Sequence, residues 1–340
     1  MTSKPAIHPA RWTPPASGPV GSPEPPVGLR VLDVSGHGTE DVLVRADGAV
    51  VTGLADGRIV AVDPITATEV QLADTGGRPL GIEHGPHGGY IVCDARRGLL
   101  RVDEDGIVVV LADGFDGVPF EFCNNAAVAA DGTIWFTDSS VTFGIDHWRG
   151  DLIEHRPTGR LLRRDPDGTL AVLVDNLAFG NGVALAPDES FVVVAETGAY
   201  ALLRIWLTGP EAGSVEPYGP VLPGFPDNIS TGEDGNIWVA VASPRDRALD
   251  ALLPRAPLLR TIVWALPQRL QPQPQRLIRV MAFDRDGSVV HDVAGQHDRF
   301  GTPTGVRQVG DEVWLGSLET STIAVFDLPV SQHGVETSID

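Results

Sequence analysis

The chain has 340 residues, with 45 acidic against 25 basic side chains and a formal net charge of −20. That balance argues against nucleic acid or an anionic membrane surface as a partner, since both repel a polyanion. Its length permits a core that needs no disulfide. The two cysteines, Cys93 and Cys123, lack zinc-site spacing and are expected as buried free thiols.

Residues 1–28 are rich in Pro and Ser and show no basic-then-apolar leader, so a poorly ordered segment of a cytoplasmic protein is expected there. No apolar run reaches the roughly 18 residues of a membrane span. From residue 29 to 328 the chain reads as one domain. Leu29 to Val34 form a β-rich run, and then one pattern recurs six times. Each copy opens on a residue seven positions before a turn: Glu40 before Asp47, Leu80 before His87, Asn124 before Asp131, Asn181 before Asp188, Asp227 before Asp234 and Thr304 before Asp311. Apolar positions alternate up to the turn, and a second β-rich run follows it.

The first copy shows the whole unit, with β-rich stretches at 41–45, 49–53, 57–63 and 68–73. Four antiparallel strands in about 40 to 45 residues are the signature of a β-propeller blade. The expected fold is therefore an all-β, six-bladed propeller over 29–328. The Leu29 run would close the ring onto blade six, and 329–340 form a C-terminal tail. Closure removes the open sheet edge.

Two spacings are long. Residues 141–154, expected between blades three and four, hold His147, Trp148 and Arg149. Residues 245–275, in blade five, read as short helices broken by Pro254, Pro257 and Pro267. A helical lid is the reading preferred here; a packing helix and a membrane-surface anchor are the alternatives.

Inner strands of a propeller begin near the central channel, so equivalent opening residues converge on one axis. Glu40, Asn124, Asn181 and Asp227 would bring two carboxylates and two amides to a point, with Asn228 as a fifth oxygen donor. Ca²⁺ takes 6–8 oxygen ligands, and the lack of His and Cys at these positions argues against zinc or copper. One Asn or Asp before a strand is more often a turn-former, but four at a fixed offset are not. A hydrogen-bonded amide network without metal is the remaining alternative.

With these motifs placed, the chain resembles the six-bladed superfamily of gluconolactonases, senescence-marker proteins, paraoxonases and strictosidine synthases. The carrying residues are Gly-Thr-Glu-Asp at 38–41, Phe-Cys-Asn-Asn at 122–125, Gly-Asn-Gly-Val at 180–183 and Gly-Phe-Pro-Asp-Asn-Ile at 224–229. Gly-Arg-Pro-Leu-Gly-Ile at 77–82 and Trp-Phe-Thr-Asp-Ser-Ser at 135–140 are closest to the strictosidine-synthase-like branch, which includes the adipocyte plasma-membrane-associated protein.

The resemblance implies one catalytic calcium on Glu40, Asn124, Asn181, Asp227 and Asn228. A second, structural ion would involve Asp41 and Asn125, where an amide replaces the family's carboxylate. Leu80 stands where paraoxonases carry a catalytic histidine, and Gln308 falls at the position of the strictosidine synthase glutamate. A histidine base at that position and a Pictet–Spengler condensation are thereby disfavoured.

The implied activity is metal-dependent hydrolysis of a lactone or ester, through carbonyl polarisation and water activation. Asp227 is the first candidate base, with Glu40 beside it. Asp138 and Glu196, at the ends of the second strands of blades three and four, are further candidates. His147, His291 and His297 fall in expected loops and are read as solvated. Leu80, Phe120, Phe122, Phe225 and Trp264 would line an apolar mouth suited to hydrophobic substrates. A calcium-stabilised binding propeller without activity, and a strictosidine-synthase-like enzyme of other chemistry, stay open.

Overall fold

The computed structural model describes residues 4–18, 21–255, 257–271 and 273–328. The expected C-terminal tail, 329–340, lies outside the described residues. Six four-stranded antiparallel sheets stand around one axis. Their innermost strands are Leu43–Val44, Pro79–His84, Cys123–Val128, Gly180–Leu185, Gly224–Thr231 and Pro303–Val309. In the last blade the outermost strand is Val27–Asp33, which pairs antiparallel with Thr322–Asp327. The ring is thus closed by the run before the first repeat, as its β-rich pattern predicted.

The core is not one mass but a series of seams between neighbouring blades. Val51, Ile59 and Ala61 of blade one meet Ile82, Val92 and Leu100 of blade two. Phe191, Val193 and Leu202 of blade four meet Val239, Met281 and Phe283 of blade five. Alternation along each strand supplies one face to each seam, and each buried aliphatic or Phe side chain contributes about 1.5–3 kcal/mol. Close approach at the axis needs glycine. A Cβ on Gly182 would lie 2.2 Å from the Ile229 nitrogen of the next blade. Cys93 and Cys123 are buried and free.

Both insertions sit within blades, each between a second and a third strand. The segment with helix α1 (Trp148–Glu154) joins Ile134–Asp138 to Gly159–Arg164, so it belongs to blade three rather than to the link between blades three and four. Helices α2 (Arg247–Leu252) and α3 (Pro257–Ala265) occupy the corresponding place in blade five. Asp246 caps α2 by accepting from the Ala248 and Leu249 nitrogens. Arg260 of α3 is fully buried and donates to the Ile153 and Glu154 carbonyls at the end of α1, which ties the insertions together.

The N-terminal segment, expected to be poorly ordered, instead runs along this cover at residues 4–18. Ile7 packs with Phe143, Ile153 and Trp264. The Trp264 indole donates to the Pro5 carbonyl at 2.8 Å, and Trp12 lies against His155 with ring centres 4.0 Å apart. Its prolines limit local helix and sheet but leave these contacts open. No helix among the described residues is long and apolar enough to cross a membrane.

Candidate metal centre

The geometry of the inner-strand starts explains how these side chains reach the axis. In blades two to six the inner strand carries one extra residue at the repeat's opening position, as in the shift between Gly180↔Glu196 and Val183↔Val194. Such a bulge re-aims a side chain that regular pleating would direct into a seam. Asn124, Asn181 and Asp227 accordingly line a single pocket at the head of the channel, joined by Glu40, which precedes the short inner strand of blade one.

Each amide is held by its nitrogen. Asn124 Nδ2 donates to Ser139 Oγ at 2.9 Å, and Asn181 Nδ2 to Thr197 Oγ1 at 3.1 Å. Thr197 spends its own proton on the Pro226 carbonyl, so it can only accept from Asn181. That fixes which end of the amide is left over. Asn228, buried behind the pocket wall, donates from Nδ2 to Glu40 Oε1 at 2.9 Å. The remainder is four buried oxygens without a hydrogen-bond partner among the described residues: Glu40 Oε2, Asn124 Oδ1, Asn181 Oδ1 and Asn228 Oδ1.

The residues one position further on form a second ring, alternating Asx and glycine: Asp41, Gly81, Asn125, Gly182, Asn228 and Gly305. Asp41 Oδ2 accepts from the Ile82 nitrogen, and Asn125 Oδ1 accepts from the Val183 nitrogen. Asn125 also donates to Asp41. These two, the residues of the implied second ion, are thus committed to bridging blades. Asn228 alone among the three breaks the pattern and turns to Glu40.

Electrostatics point the same way. Burial, then the charges of Asp227 and Asp41, push the Glu40 carboxyl well above the usual carboxylate range. Burial pushes the half-buried Asp227 up to about 7. Arg78 opposes this for Glu40, but its Nη1 and Nη2 donate to the Pro79 and Gly38 carbonyls instead. Two enclosed acids and four unpartnered oxygens make a site complementary to a hard cation. Among the described residues no group of three or more His, Cys, Asp or Glu side chains forms a metal cluster. The donor set is therefore mixed, two carboxylates with amide oxygens.

The pocket walls are apolar. Leu80, Phe122 and Phe225 line it as the sequence implied, and Phe179 and Leu152 join them. Phe120 does not. It packs edge-on against Phe136 in the seam between blades two and three. Trp264 is also elsewhere, in the small core shared by α1, α3 and the N-terminal segment, with Phe143 and Ile7.

Asp138 and Glu196 are not brought to the pocket either. Asp138 accepts from the Phe122 nitrogen and from Arg160 at 2.6 Å, and Glu196 accepts from the Ala178 nitrogen. Asp94 does the same for the Arg78 nitrogen in blade two. All three clamp the approach to an inner strand. Gln308 lies at the far end of its strand, where Oε1 accepts from the Asp234 nitrogen. Its identity therefore says nothing about pocket chemistry, and the argument drawn from it against condensation falls. His291 sits in an outer strand, Val289–Gly295, stacked on Trp238, rather than in a loop.

Sequence reasoning missed Ser139 and Thr197. Their signal is a hydroxyl directly after the acid that ends the second strand, in Asp138-Ser139 and Glu196-Thr197; blade two, with Leu80, has Ala95 there.

Comparison with known proteins gives matches along most of the chain. The strictosidine synthase family model matches residues 124–210, and the strictosidine synthase-like N-terminal model matches 28–62. Protein strictosidine synthase-like 6 of Arabidopsis thaliana is 36% identical over 85% of this chain and 78% of its own. The adipocyte plasma membrane-associated protein of Rattus norvegicus is 31% identical over 80% of this chain and 81% of its own. Among solved structures, a gluconolactonase from Xanthomonas campestris superposes with a TM-score of 0.64 at 20% identity, covering 97% of this chain and 99% of its own.

Proposed function

The chain belongs to the strictosidine synthase-like family of six-bladed propellers, and we propose that it hydrolyses an apolar lactone or ester with Ca²⁺ held at the axial cluster. One observation carries this reading: Glu40, Asn124 and Asn181 line one apolar-walled pocket and each keeps a buried, unpartnered oxygen, as does Asn228, which is bonded to Glu40 behind them. The lactonase fold of the Xanthomonas protein lends the reaction class, and the apolar walls favour a hydrophobic substrate over a sugar lactone.

The chain's own residues divide the work. Glu40, Asn124, Asn181, Asn228 and Asp227 would hold the ion, with Ser139 and Thr197 fixing two amides. A bound calcium supplies Lewis-acid polarisation of a carbonyl oxygen. Asp227, whose side chain lines the pocket, is the residue we assign to take a proton from the attacking water. Leu80, Phe122, Phe179 and Phe225 bind the apolar part and exclude bulk water.

The test is an EDTA-treated preparation assayed on lactones, aryl esters and phosphotriesters, then reassayed after adding Ca²⁺. Loss and recovery of turnover support the reading. Full turnover in EDTA removes the metal, and calcium binding with no turnover favours a binding propeller.

A further inference from the structure

We infer that Arg149 is an anion receptor within the pocket, so that the preferred substrate is an apolar ester or lactone that also carries a carboxylate. This rests on the hydrolytic reading above for the word substrate, but the receptor itself does not. Arg149 lies on α1 and lines the same pocket as Glu40 and Asp227. Its Nε and Nη1 are buried and have no hydrogen-bond partner among the described residues.

Comparable arginines elsewhere each keep at least one polar partner, although Arg160 and Arg260 also leave a buried Nε without one. Arg160 and Arg307 pair with Asp138 and Glu83, and Arg78 and Arg260 donate to carbonyls. Arg149 has only the Trp148 ring, 5.1 Å from its guanidinium carbon, and the through-space charge of Glu319, an exposed residue at the pocket rim. Burial penalises the charged form and pushes its pKa down. Arg149 is half-buried, and leaving Nε and Nη1 enclosed without partners is unfavourable unless a ligand supplies them.

The fixed fork of donors fits a carboxylate, and the surrounding wall is apolar. A ligand bridging the pocket would place its anionic end at Arg149 and its body against Leu152 and Phe225. Its ester group would then lie toward Glu40 and Asp227 at the head of the channel, where a cation would be held. Arg149 is the cationic side chain of the lining; Gln273, Gln275, Ser243 and Thr302 are its neutral donors, and Asp246 and Glu319 are acidic.

Trp148 provides a binding signal that does not depend on turnover. Octanoate and methyl octanoate are titrated into the full-length protein while tryptophan fluorescence is followed, in Ca²⁺ and again in EDTA. Octanoate is expected to bind about 10- to 100-fold more tightly in both, the worth of a charged hydrogen-bonded pair. Arg149→Gln is expected to bring that ratio near one, and Arg149→Lys to retain part of it. Matched nitrophenyl esters, butyrate against the succinate half-ester, should show the same ratio in KM.

Equal binding of the two ligands, or an unchanged ratio in Arg149→Gln, overturns the proposal. A preference seen only with Ca²⁺ and insensitive to Arg149→Gln assigns the carboxylate to the metal and also overturns it. If the preference holds but no ester or lactone is turned over, the hydrolytic reading fails and the receptor stands.

Discussion

Asn228 in blade five donates from Nδ2 to Oε1 of Glu40 in blade one at 2.9 Å, across 188 positions of sequence. The bond satisfies one atom of each side chain and leaves Glu40 Oε2 and Asn228 Oδ1 both buried and unpartnered. Each orphaned polar atom costs about 1–3 kcal/mol, a cost that a cation bound between them would offset.

Calcium should therefore stabilise the folded protein, and Glu40→Gln should abolish that gain. Melting of the wild type is expected to shift upward with Ca²⁺ in a concentration-dependent way. Glu40→Gln in EDTA is expected to be at least as stable as wild type at pH 8, because a buried charge has been removed. A calcium shift of normal size in Glu40→Gln would count against the ligand assignment.

The metal-free protein should lose stability as pH rises from about 4 to about 7. Asp227 has its folded pKa raised to about 7 from an ordinary 3.8, so over that window the folded state holds a proton that the unfolded state has released. Stability then falls with pH, and the contribution levels off above the folded pKa. Calcium binding needs the ionised acid, so its apparent affinity should rise over the same window. Denaturant melts and calcium titrations at pH 5, 6, 7 and 8 check both; parallel curves with and without calcium would contradict the coupling.

Thr197→Val should weaken calcium binding about 10- to 100-fold, the usual size of a lost supporting contact to a ligand. The Asn181 amide loses the hydroxyl that fixes its orientation. Thr197→Ser should restore most of the affinity. Calorimetric titration distinguishes this from a general loss of folding, which would reduce the number of sites rather than the affinity.

Asp138→Ala should be a stability variant and not a catalytic one. It leaves Arg160 without its buried partner, a change worth about 3–5 kcal/mol. The folded fraction should keep kcat within a few-fold of wild type. A thousand-fold loss of kcat in folded protein would return Asp138 to the chemistry.

Deleting residues 1–18 should leave the propeller folded, since ring closure depends on Val27–Asp33. The cover should loosen, because Ile7, the Pro5 carbonyl and the Ala10 carbonyl all anchor α1 or α3. Hydrogen exchange is expected to quicken in both helices and to stay unchanged in the inner strands. Unaltered exchange in α1 and α3 would show that the helices need no such anchor.

The blades and the polar residues at their inner ends were legible because both repeat. Seven-residue spacing from Glu40 to Asp47 and its five later copies reports strand and turn locally, and closure of the ring turns that period into convergence on an axis. Side chains outside the period were misjudged. Phe120 and Trp264 are as apolar as Phe122, and nothing in composition tells a seam from a pocket. Asp138 and Glu196 end strands near the channel, yet a backbone nitrogen claims each first.

The sequence by itself determined the propeller, its closing strand and the oxygen donors, since these follow from periodicity and residue chemistry. Only the tertiary structure decided which donor atoms are spent and which are left over. Asn125 and Asn228 are the same residue type in the same ring, one saturated by the Val183 nitrogen and the other with its oxygen free. Partners drawn from other blades make that difference, and hydrogen-bond satisfaction across non-local contacts leaves no trace in local spacing.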